Sequence, residues 1–350
     1  MKAVVIHEHG DLDVLRIEER EKPTPRPDEV LIEVKAIGLN HLDTWVRRGV
    51  PGHTFPLPMI PGCDGAGVIV ETGSLVDWLQ VGDRVAIAPG LSCGHCPACA
   101  SGADNNCPQY GILGETQDGS CAEYVAVPAR NALPIPDQLD FPQAAAFPLT
   151  FLTAWHMLVE RCGITPSDTV LVHAAGSGVG SAAVQIAKLH HAQVIATAGT
   201  EEKRAQAVEL GADHVLPSRE GDLAKSVREL TGKRGVDIVF EHVGEATMPA
   251  SLRCLARNGR LVTCGATTGP KLEADLRHLF FKNLSILGST MGSRSELIRI
   301  LDLVGSGLLK PVVDRVLPLE QIGAAHQALH DRTAFGKIIL VPDSSNGVSP

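Results

Sequence analysis

The sequence predicts an α/β fold built around a doubly wound parallel sheet, and three features of the chain support that prediction. Thr169 to Val172 is a short β-branched apolar run that leads through glycines into apolar residues at helical spacing. A second apolar run, Gln193 to Ala196, completes a βαβ unit of about 30 residues whose crossover should be right-handed. Val236 to Phe240 and Arg260 to Cys264 then repeat the alternation of helix and strand.

The turn of the first βαβ unit is a candidate anion site. Its glycines let the backbone approach a ligand closely, and the helix that begins there directs unpaired N–H groups and its positive dipole end at that ligand. A dinucleotide pyrophosphate is the natural occupant. An ordinary strand-to-helix turn is the alternative, because the strict G-x-G-x-x-G pattern would need glycine at Ala175 and Ser177. The candidate cofactor-binding residues of this turn are Gly176, Ser177, Gly178, Val179 and Gly180.

The region before this unit, from residue 1 to about 150, is rich in Pro and Gly and predicts an irregular all-β domain. Its predicted strands are Ala3 to Ile6, Val30 to Ala36, Gly67 to Glu71, Arg84 to Ile87 and Glu123 to Val127, and its predicted short helix is Asn40 to Arg48. The later predicted elements are helices at Glu201 to Leu210, Asp222 to Leu230, Ala246 to Leu255 and Ser293 to Gly305, and a final strand at Lys337 to Val341.

Composition limits the classes of function. A net charge of −9 and a pI near 5.9 give no basic surface for nucleic acid or anionic lipid, so a small-molecule partner is favoured. The first 19 residues alternate apolar and polar side chains like a strand, not like a signal peptide, and no apolar run reaches membrane length. These features predict a cytoplasmic protein with no membrane partner, whose nine cysteines are reduced or metal-bound.

Four of those cysteines, Cys93, Cys96, Cys99 and Cys107, have spacings of three, three and eight residues. Four thiolates spaced in this way can close a tetrahedron around zinc, at about 2.3 Å per bond. A closed tetrahedron leaves no open position for a substrate, so the spacing predicts a structural zinc ion that orders a loop with little apolar content. Four free surface thiols are the alternative.

Taken together, the motifs resemble those of the medium-chain dehydrogenase/reductase superfamily, which includes zinc alcohol dehydrogenases and quinone oxidoreductases. The matching stretches are Gly38 to Asp43, Pro61 to Gly67, Val81 to Val85, the cysteine quartet, Ala175 to Gly180 and Phe335 to Leu340. The resemblance implies a GroES-like, mainly β catalytic domain interrupted by a Rossmann domain, and hydride transfer between a nicotinamide and a substrate. The expected boundaries are 1–150 for the catalytic domain with its zinc lobe, 151–286 for the Rossmann domain, 287–342 for the return to the catalytic domain, and 343–350 for a disordered polar tail.

The chain departs from the zinc enzymes at the positions of their catalytic metal ligands. The resemblance places Asn40 where those enzymes have a cysteine, Gly62-Cys63-Asp64 where they have Gly-His-Glu, and Leu149 near the third ligand. Leu42 stands where they carry the hydroxyl that relays the proton of the alcohol. The Asn-x-x-Asp pattern from Asn40 to Asp43 is instead similar to the zinc-free quinone reductase branch.

The candidate catalytic residues are Asn40, Asp43, Cys63 and Asp64. Asn40 could donate an amide N–H to a substrate carbonyl and so stabilise the charge that develops during hydride attack. The alternative for Asn40 and the two aspartates is a hydrogen bond to local backbone beside glycine turns, and Cys63 could be a small buried apolar residue. His41 matches a position that approaches the cofactor pyrophosphate in relatives, or it is a surface histidine.

Cofactor choice depends on the end of the second strand of the βαβ unit. NAD enzymes usually place an acidic residue there for the ribose hydroxyls, whereas this chain has Ala198. A 2′-phosphate could sit on Gly199 and Thr200 with charge supplied by Lys203 or Arg204, so NADP(H) is favoured over NAD(H). The two glutamates before Lys203 could equally serve a ribose, and Lys203 could be a solvated helix residue. The resemblance adds a set of residues that line the nicotinamide half: Gly265, Ala266, Thr267, Ser289 and Thr290.

The leading prediction is an NAD(P)H-dependent oxidoreductase that transfers hydride to an activated carbonyl compound, a quinone or an α,β-unsaturated ketone or aldehyde, without a catalytic zinc ion. One alternative is a zinc alcohol dehydrogenase with unusual ligands drawn from Cys63, Asp64 and a histidine or water. Another is a cofactor-binding protein with little turnover. The family resemblance and the apolar stretch Leu284 to Leu287, a candidate edge strand, further predict a homodimer or homotetramer.

Overall fold

The computed structural model describes residues 1–342, which fall into two compact units. Unit 1 consists of Met1–Leu149 together with residues 293–342, and unit 2 is Thr150–Gly292. The tail predicted at 343–350 lies outside the described residues. Among the helices of the described chain, none is both long and apolar enough to cross a membrane.

The secondary structure alternates between short strands and helices. The strands are β1 (Lys2–Val5), β2 (Arg16–Glu19), β3 (Glu29–Gly38), β4 (Asp64–Thr72), β5 (Arg84–Ile87), β6 (Gly90–Leu91), β7 (Gly111–Ile112), β8 (Tyr124–Pro128), β9 (Ala132–Pro134), β10 (Thr169–Val172), β11 (Gln193–Ala198), β12 (His214–Pro217), β13 (Val236–Glu241), β14 (Leu255–Thr263), β15 (Ser285–Gly288), β16 (Val313–Pro318) and β17 (Lys337–Val341). The helices are α1 (His41–Arg48), α2 (Pro97–Ala100), α3 (Phe141–Ala146), α4 (Pro148–Trp155), α5 (Gly178–Leu189), α6 (Glu201–Glu209), α7 (Leu223–Leu230), α8 (Met248–Cys254), α9 (Leu276–Lys282), α10 (Arg294–Gly305) and α11 (Ile322–His330).

Unit 2 contains a six-stranded parallel sheet in the order β12-β11-β10-β13-β14-β15. All four residues of β10 are buried, as expected for a central parallel strand that is covered on both faces. Because β10 lies between β11 and β13, the chain winds outward in both directions from it. The predicted doubly wound parallel sheet is therefore confirmed.

One predicted strand boundary in unit 2 is wrong. The strand predicted from Arg260 begins five residues earlier, at Leu255, where helix α8 has already ended. The extra residues include Asn258, which has a φ of 61° in the left-handed region, and the pairing with β13 shifts register there. Asn258 and Gly259 favour a turn and interrupt the apolar pattern of this strand, so the pattern indicated only the part after them.

Unit 1 is built on a seven-stranded sheet in which β16-β17-β3-β4-β5-β9 are neighbours and β8 pairs with β3. Strand β3 is its longest strand and pairs antiparallel with β4, β8 and β17. A Cβ on Gly38, at the end of β3, would lie 2.1 Å from the carbonyl oxygen of Ala145, so only glycine lets helix α3 pack this closely against the strand. Strand β17, from the C-terminal part of the chain, thereby completes a sheet begun by the N-terminal part.

Helix α11 buries a histidine in the core of unit 1. His326 is 1% exposed, and neither of its ring nitrogens has a hydrogen-bond partner within the described chain. Burial lowers the pKa of His326 to about 3, and the positive charges of Arg47 and Arg48 add to this effect. The imidazole is therefore neutral in the folded protein near neutral pH.

We expect the substitution His326→Leu to reduce the loss of stability in acid. The folded-state pKa of about 3 lies below the ordinary value of 6.5, so between these pH values the unfolded chain binds a proton that the folded chain does not. Stability present above pH 6.5 is then lost as the pH falls toward 3. Urea unfolding at pH 4.5 and 7.5 should show the variant gaining about 2–3 kcal/mol relative to wild type at the lower pH. The exposed His330→Leu is the control, and an equal acid loss in wild type and His326→Leu would contradict this account.

Candidate functional site

Three of the four candidate catalytic residues meet at one end of the unit 1 sheet, and strand register explains why. Gly38, the last residue of β3, lies opposite Asp64 on β4 and opposite Ile339 on β17. The pairing with β17 extends beyond the strand end, because Leu39 N–H donates to the carbonyl of Ile338 at 3.0 Å. Continuing this antiparallel register brings Lys337, the first residue of β17, alongside Asn40.

The Asn40 amide is hydrogen-bonded on both of its polar atoms. Its Nδ2 donates to the Gly38 carbonyl at 3.0 Å, to Cys63 Sγ at 3.2 Å and to Asp64 Oδ2 at 2.9 Å. Its Oδ1 accepts from Lys337 Nζ at 2.5 Å. Asn40 is 5% exposed, so this arrangement is shielded from solvent.

Asp64 and Lys337 form a buried ion pair. Lys337 Nζ lies 3.0 Å from Asp64 Oδ2, and the two residues are 4% and 0% exposed, respectively. The second carboxylate oxygen of Asp64 accepts the backbone N–H of Leu149 at 2.9 Å. The Asp64 carboxylate therefore has three donors in place of water, which is what a buried charge requires.

Asp43 lies on α1 beside this cluster, and Cys63 lies within it. Asp43 accepts the backbone N–H of Asn40 at 2.6 Å in a capping box at the start of α1, and burial raises the pKa of its carboxyl to about 7. Burial likewise raises the pKa of the Cys63 thiol well above its ordinary value, so Cys63 is a protonated thiol. His41 is the first residue of α1 and is half-buried.

This cluster does not fit a catalytic metal ion. Such a site needs three protein ligands with lone pairs directed at the metal and an open fourth position. Here Asn40 directs its N–H groups at Cys63 and Asp64, and the ammonium of Lys337 already contacts the oxygens that would serve as ligands. The sulfur of Cys63 is protonated. We therefore derive no step that involves a metal ion at this place.

The cysteine quartet, by contrast, fits a structural zinc ion. The sulfur atoms of Cys93, Cys96, Cys99 and Cys107 all lie within 4.8 Å of one another. The separation of Cys93 Sγ and Cys99 Sγ is 3.8 Å, which matches the edge of a tetrahedron with bonds of about 2.3 Å. Backbone N–H groups of His95 and Cys96 lower the pKa of the Cys93 thiol to about 6, which favours the thiolate that zinc binds.

The surrounding loop positions these sulfur atoms by backbone structure more than by apolar packing. The loop is flanked by β6 and β7, which pair as a small two-stranded sheet. Its only helices are the four-residue α2 and a 3-10 turn at Asp104–Asn106. Arg130 Nη2 donates to the Ser92 carbonyl at 2.5 Å, and Arg294 N–H donates to Asp104 Oδ1 at 3.0 Å. With so few contacts, the bound metal would supply much of the order of the loop.

In unit 2 the predicted cofactor-binding residues lie at the carboxyl ends of parallel strands. They are Gly176, Ser177, Gly178, Val179 and Gly180 after β10, Ala198, Gly199, Thr200 and Lys203 at and after β11, Gly265, Ala266 and Thr267 after β14, and Ser289 and Thr290 after β15. The edge beside β10 is the switch point at which open α/β sheets bind dinucleotides. The fold therefore brings these predicted residues of unit 2 to one edge of the sheet.

The turn after β10 has the geometry of an anion cradle. Ser177 caps helix α5 by accepting the N–H of Gly180 at 2.9 Å. A Cβ on Gly180 would lie 2.3 Å from the Ala174 carbonyl oxygen, so glycine alone lets the helix begin this close to the strand. Ala174 N–H donates to Thr197 Oγ1 at 3.1 Å, which ties the turn to β11. The start of α5 can therefore present its N–H groups and positive dipole end to a pyrophosphate.

Sequence reasoning missed a buried polar network at this switch point. His173 Nε2 lies 2.9 Å from Ser251 Oγ, and that hydroxyl donates to Glu241 Oε2 at 2.8 Å. Glu241 Oε1 accepts the backbone N–H groups of Val243 and Gly244 at 2.7 and 3.1 Å. The three side chains are at most 2% exposed, so the network does not act on a substrate directly and instead fixes the loop that follows β13. The position of His173 directly after β10 was the only signal in the sequence.

The chain matches known protein families and is similar over nearly its whole length to proteins of known structure. Two family models match the chain, the alcohol dehydrogenase GroES-like domain over residues 26–137 and the zinc-binding dehydrogenase over residues 178–306. The quinone oxidoreductase of Homo sapiens is 31% identical over 349 residues, which cover 97% of this chain and 98% of that protein. A solved NAD-dependent alcohol dehydrogenase has a TM-score of 0.95 and 48% identity over 98% of this chain and 100% of its own. The cobalt- and zinc-bound thermostable alcohol dehydrogenase from Pyrobaculum aerophilum has a TM-score of 0.89 and 35% identity over 98% and 99% of the two chains.

We expect elemental analysis of the purified protein to give one zinc ion per chain, held by the quartet. Cys99→Ser should lose that ion, lower the melting temperature and make the loop from Gly90 to Pro108 sensitive to protease, because metal-binding energy at such sites is folding energy. Turnover per folded molecule should change little. The control is His95→Ala, which removes an exposed histidine of the same loop and should retain zinc. A wild-type protein without zinc, or with two zinc ions per chain, would be incompatible with this assignment.

Proposed function

The chain belongs to the medium-chain dehydrogenase/reductase superfamily, and we propose that it reduces an activated carbonyl compound, a quinone or an α,β-unsaturated ketone or aldehyde, without a catalytic metal ion. Its relatives include quinone oxidoreductases and alcohol dehydrogenases, so it is an NAD(P)-dependent oxidoreductase. Membership of an enzyme family argues against a cofactor-binding protein with little turnover. The observation that carries the metal-free proposal is the Asn40–Lys337–Asp64 cluster, which has an ammonium group among the expected metal ligands.

A bound nicotinamide would supply the hydride, and the residues of the cluster would stabilise the oxygen that receives negative charge. Asn40 Nδ2 carries two hydrogens but faces three acceptors, and its contact with Cys63 Sγ, at 3.2 Å, is the longest. A thiol sulfur is a weak acceptor. We propose that the substrate oxygen displaces this sulfur and accepts one of the two amide hydrogens, while the other hydrogen stays bonded to Asp64 Oδ2. An amide donor held in advance stabilises the developing oxyanion without reorganisation during the reaction.

A second candidate function is the oxidation of an alcohol with NAD. The solved structure with 48% identity is titled an NAD-dependent alcohol dehydrogenase, which favours this candidate. Alcohol oxidation by the zinc route would require metal ligands that the cluster does not offer in its observed state. Metal dependence of turnover therefore separates the two candidates.

The end of β11 supports a preference for NADPH. Ala198 is buried there and places no carboxylate beside the ribose position. Gly199 has open space around it, since a Cβ would find its nearest heavy atom at 3.8 Å, on Ser218. Thr200 is the N-cap of α6 and accepts the N–H of Lys203 at 3.2 Å. The N-terminus of α6 therefore lies beside the predicted position of the ribose. Such a place suits a 2′-phosphate.

We expect the protein to oxidise NADPH faster than NADH, at equal low concentration, with at least one quinone, enone or aldehyde of a substrate panel. Ala198→Asp should weaken NADPH binding by about 5- to 150-fold, since a like charge beside the 2′-phosphate costs on the order of 1–3 kcal/mol. NADH binding should be spared. Ala198→Ser, a neutral substitution of similar size, is the control.

The panel should be run with and without a chelator that leaves the fold intact. Activity that survives chelation supports the metal-free proposal. NAD-dependent alcohol oxidation that is lost on chelation and restored by zinc would instead establish the second candidate. A wild-type preference for NADH would overturn the cofactor assignment alone.

We also propose that the chain forms a homodimer or homotetramer through the β15 edge of the unit 2 sheet. Strand β15 has no neighbour on its outer side within the described chain, and three of its four residues are exposed, including Ile286. Nearby in sequence, helix α9 exposes Phe280 and Phe281 at 60% and 65%. An unpaired strand edge with exposed apolar side chains on and near it is a place where another chain can pair.

Light scattering at micromolar concentration should therefore give a mass of at least two chains. Ile286→Lys should shift the mass toward the monomer, because a charged side chain opposes edge pairing. Leu75→Lys, at an exposed apolar residue of unit 1, is the matched control and should leave the mass unchanged. A monomeric wild-type protein would contradict the proposal.

A further inference from the structure

Lys337 has a role that neither the sequence motifs nor the family models assign. It is the first residue of β17, it is 4% exposed, and its backbone N–H donates to the Val312 carbonyl at 2.8 Å. Lysine is rarely buried to this degree unless its ammonium is paired. The ammonium here donates to two side chains, Asn40 and Asp64, and both belong to the candidate catalytic cluster.

We propose that the Lys337 ammonium is a fixed internal cation that occupies the place of a catalytic metal ion, holding Asn40 in one orientation and keeping divalent metals out of the cluster. The exclusion of metal is independent of the proposed reaction. The effect on turnover rests on the proposed function. Lys337 is thus a positioning residue, since it acts on the substrate only through Asn40.

The orientation of the Asn40 amide follows from the chemistry of an ammonium group. An ammonium can only donate hydrogen bonds, so the amide atom that faces it must be the oxygen. The contact of 2.5 Å between Lys337 Nζ and Asn40 Oδ1 therefore fixes the Asn40 N–H groups toward Cys63 and Asp64. Without the ammonium, the amide could rotate by half a turn and present its oxygen instead.

The exclusion of metal follows from the same contacts. The polar atoms of Asn40, Cys63 and Asp64 that could serve as ligands converge, since Asn40 Nδ2 lies 3.2 Å from the Cys63 sulfur and 2.9 Å from the Asp64 oxygen. The ammonium already neutralises the Asp64 carboxylate at 3.0 Å. A divalent cation entering here would meet a positive charge tethered by the main chain, and like charges repel strongly where water is absent.

Removing the ammonium should convert this cluster into a metal site. Lys337→Met leaves a buried carboxylate without a counterion, next to a thiol and an amide that is free to turn its oxygen inward. Carboxylate, thiolate and amide oxygen together satisfy the ligand number of an open divalent site. Lys337→Arg keeps the positive charge and should continue to exclude metal.

The test is a cobalt titration of the wild type, Lys337→Met, Lys337→Gln and Lys337→Arg, each first loaded with zinc at the cysteine quartet. The two neutral variants should bind one additional Co²⁺ per chain with a thiolate-to-cobalt absorption band, and the band should vanish in Lys337→Met/Cys63→Ser. Wild type and Lys337→Arg should bind none. Lys225→Met, at an exposed lysine of α7, is the matched control and should behave as wild type.

Turnover and cofactor binding are measured on the same proteins. We expect kcat to fall at least tenfold in Lys337→Met and Lys337→Gln, to recover in part in Lys337→Arg, and the Kd for NADPH to stay within about twofold. Should the neutral variant Lys337→Met fail to fold, Lys337→Gln retains a polar side chain to contact Asp64 and provides the same readouts.

Cobalt binding by wild type with a band that is lost on Cys63→Ser would overturn the proposal. So would neutral variants that bind no cobalt and keep the wild-type kcat. A wild type that reduces no carbonyl compound, combined with cobalt binding confined to the neutral variants, would refute the proposed function and leave the exclusion of metal standing.

Discussion

The pairing of β17 with β3 is the constraint on which the unit 1 cluster depends. Lys337 and Asn40 are 297 residues apart in the chain, and unit 2 lies between them in sequence. Only the antiparallel register that sets Ile339 opposite Gly38 brings the ammonium to the amide. A slip of one residue would turn the Lys337 side chain to the other face of the sheet. The same slip would leave the Asp64 carboxylate buried without its cation.

The cost of removing charges from water explains why few of the ionisable side chains in the cluster are charged. Burial is the largest influence on Asp43 and raises the pKa of its carboxyl to about 7, although the Asn40 N–H and the Lys337 charge act in the opposite direction. The fully formed ion pair is therefore Asp64 with Lys337. Desolvating two charges is costly, and the pair persists because each member has good hydrogen-bond geometry. Removing one member is then far more damaging than the net stability of the pair suggests.

The sequence predicted the features that short segments determine by themselves. Strand β10 and helix α5 were predictable because an apolar run, glycines and helical spacing follow one another within twenty residues. The cysteine quartet was predictable from spacing. Strand β12 and helix α11 were missed, since β12 is only half-buried and α11 is built of small residues with a weak apolar pattern. The contacts of Lys337 could not be predicted from the sequence, because a lysine that begins a strand normally extends into water. Its partners also come from distant parts of the chain, at the ends of β3 and β4.

The cysteine quartet and Cys63, both in unit 1, differ in the environment of their thiols. In the zinc lobe, backbone N–H groups lower the pKa of the partly exposed Cys93 thiol to about 6, which favours a thiolate at this member of the quartet. At the sheet end, burial raises the pKa of the Cys63 thiol and keeps it neutral, so a carboxylate is left as the charged group to be compensated. A lysine on a paired strand can supply that compensation permanently, whereas a metal ion would have to be captured. The quartet therefore favours a captured metal ion, whereas the tethered Lys337 ammonium supplies the cation at the sheet end.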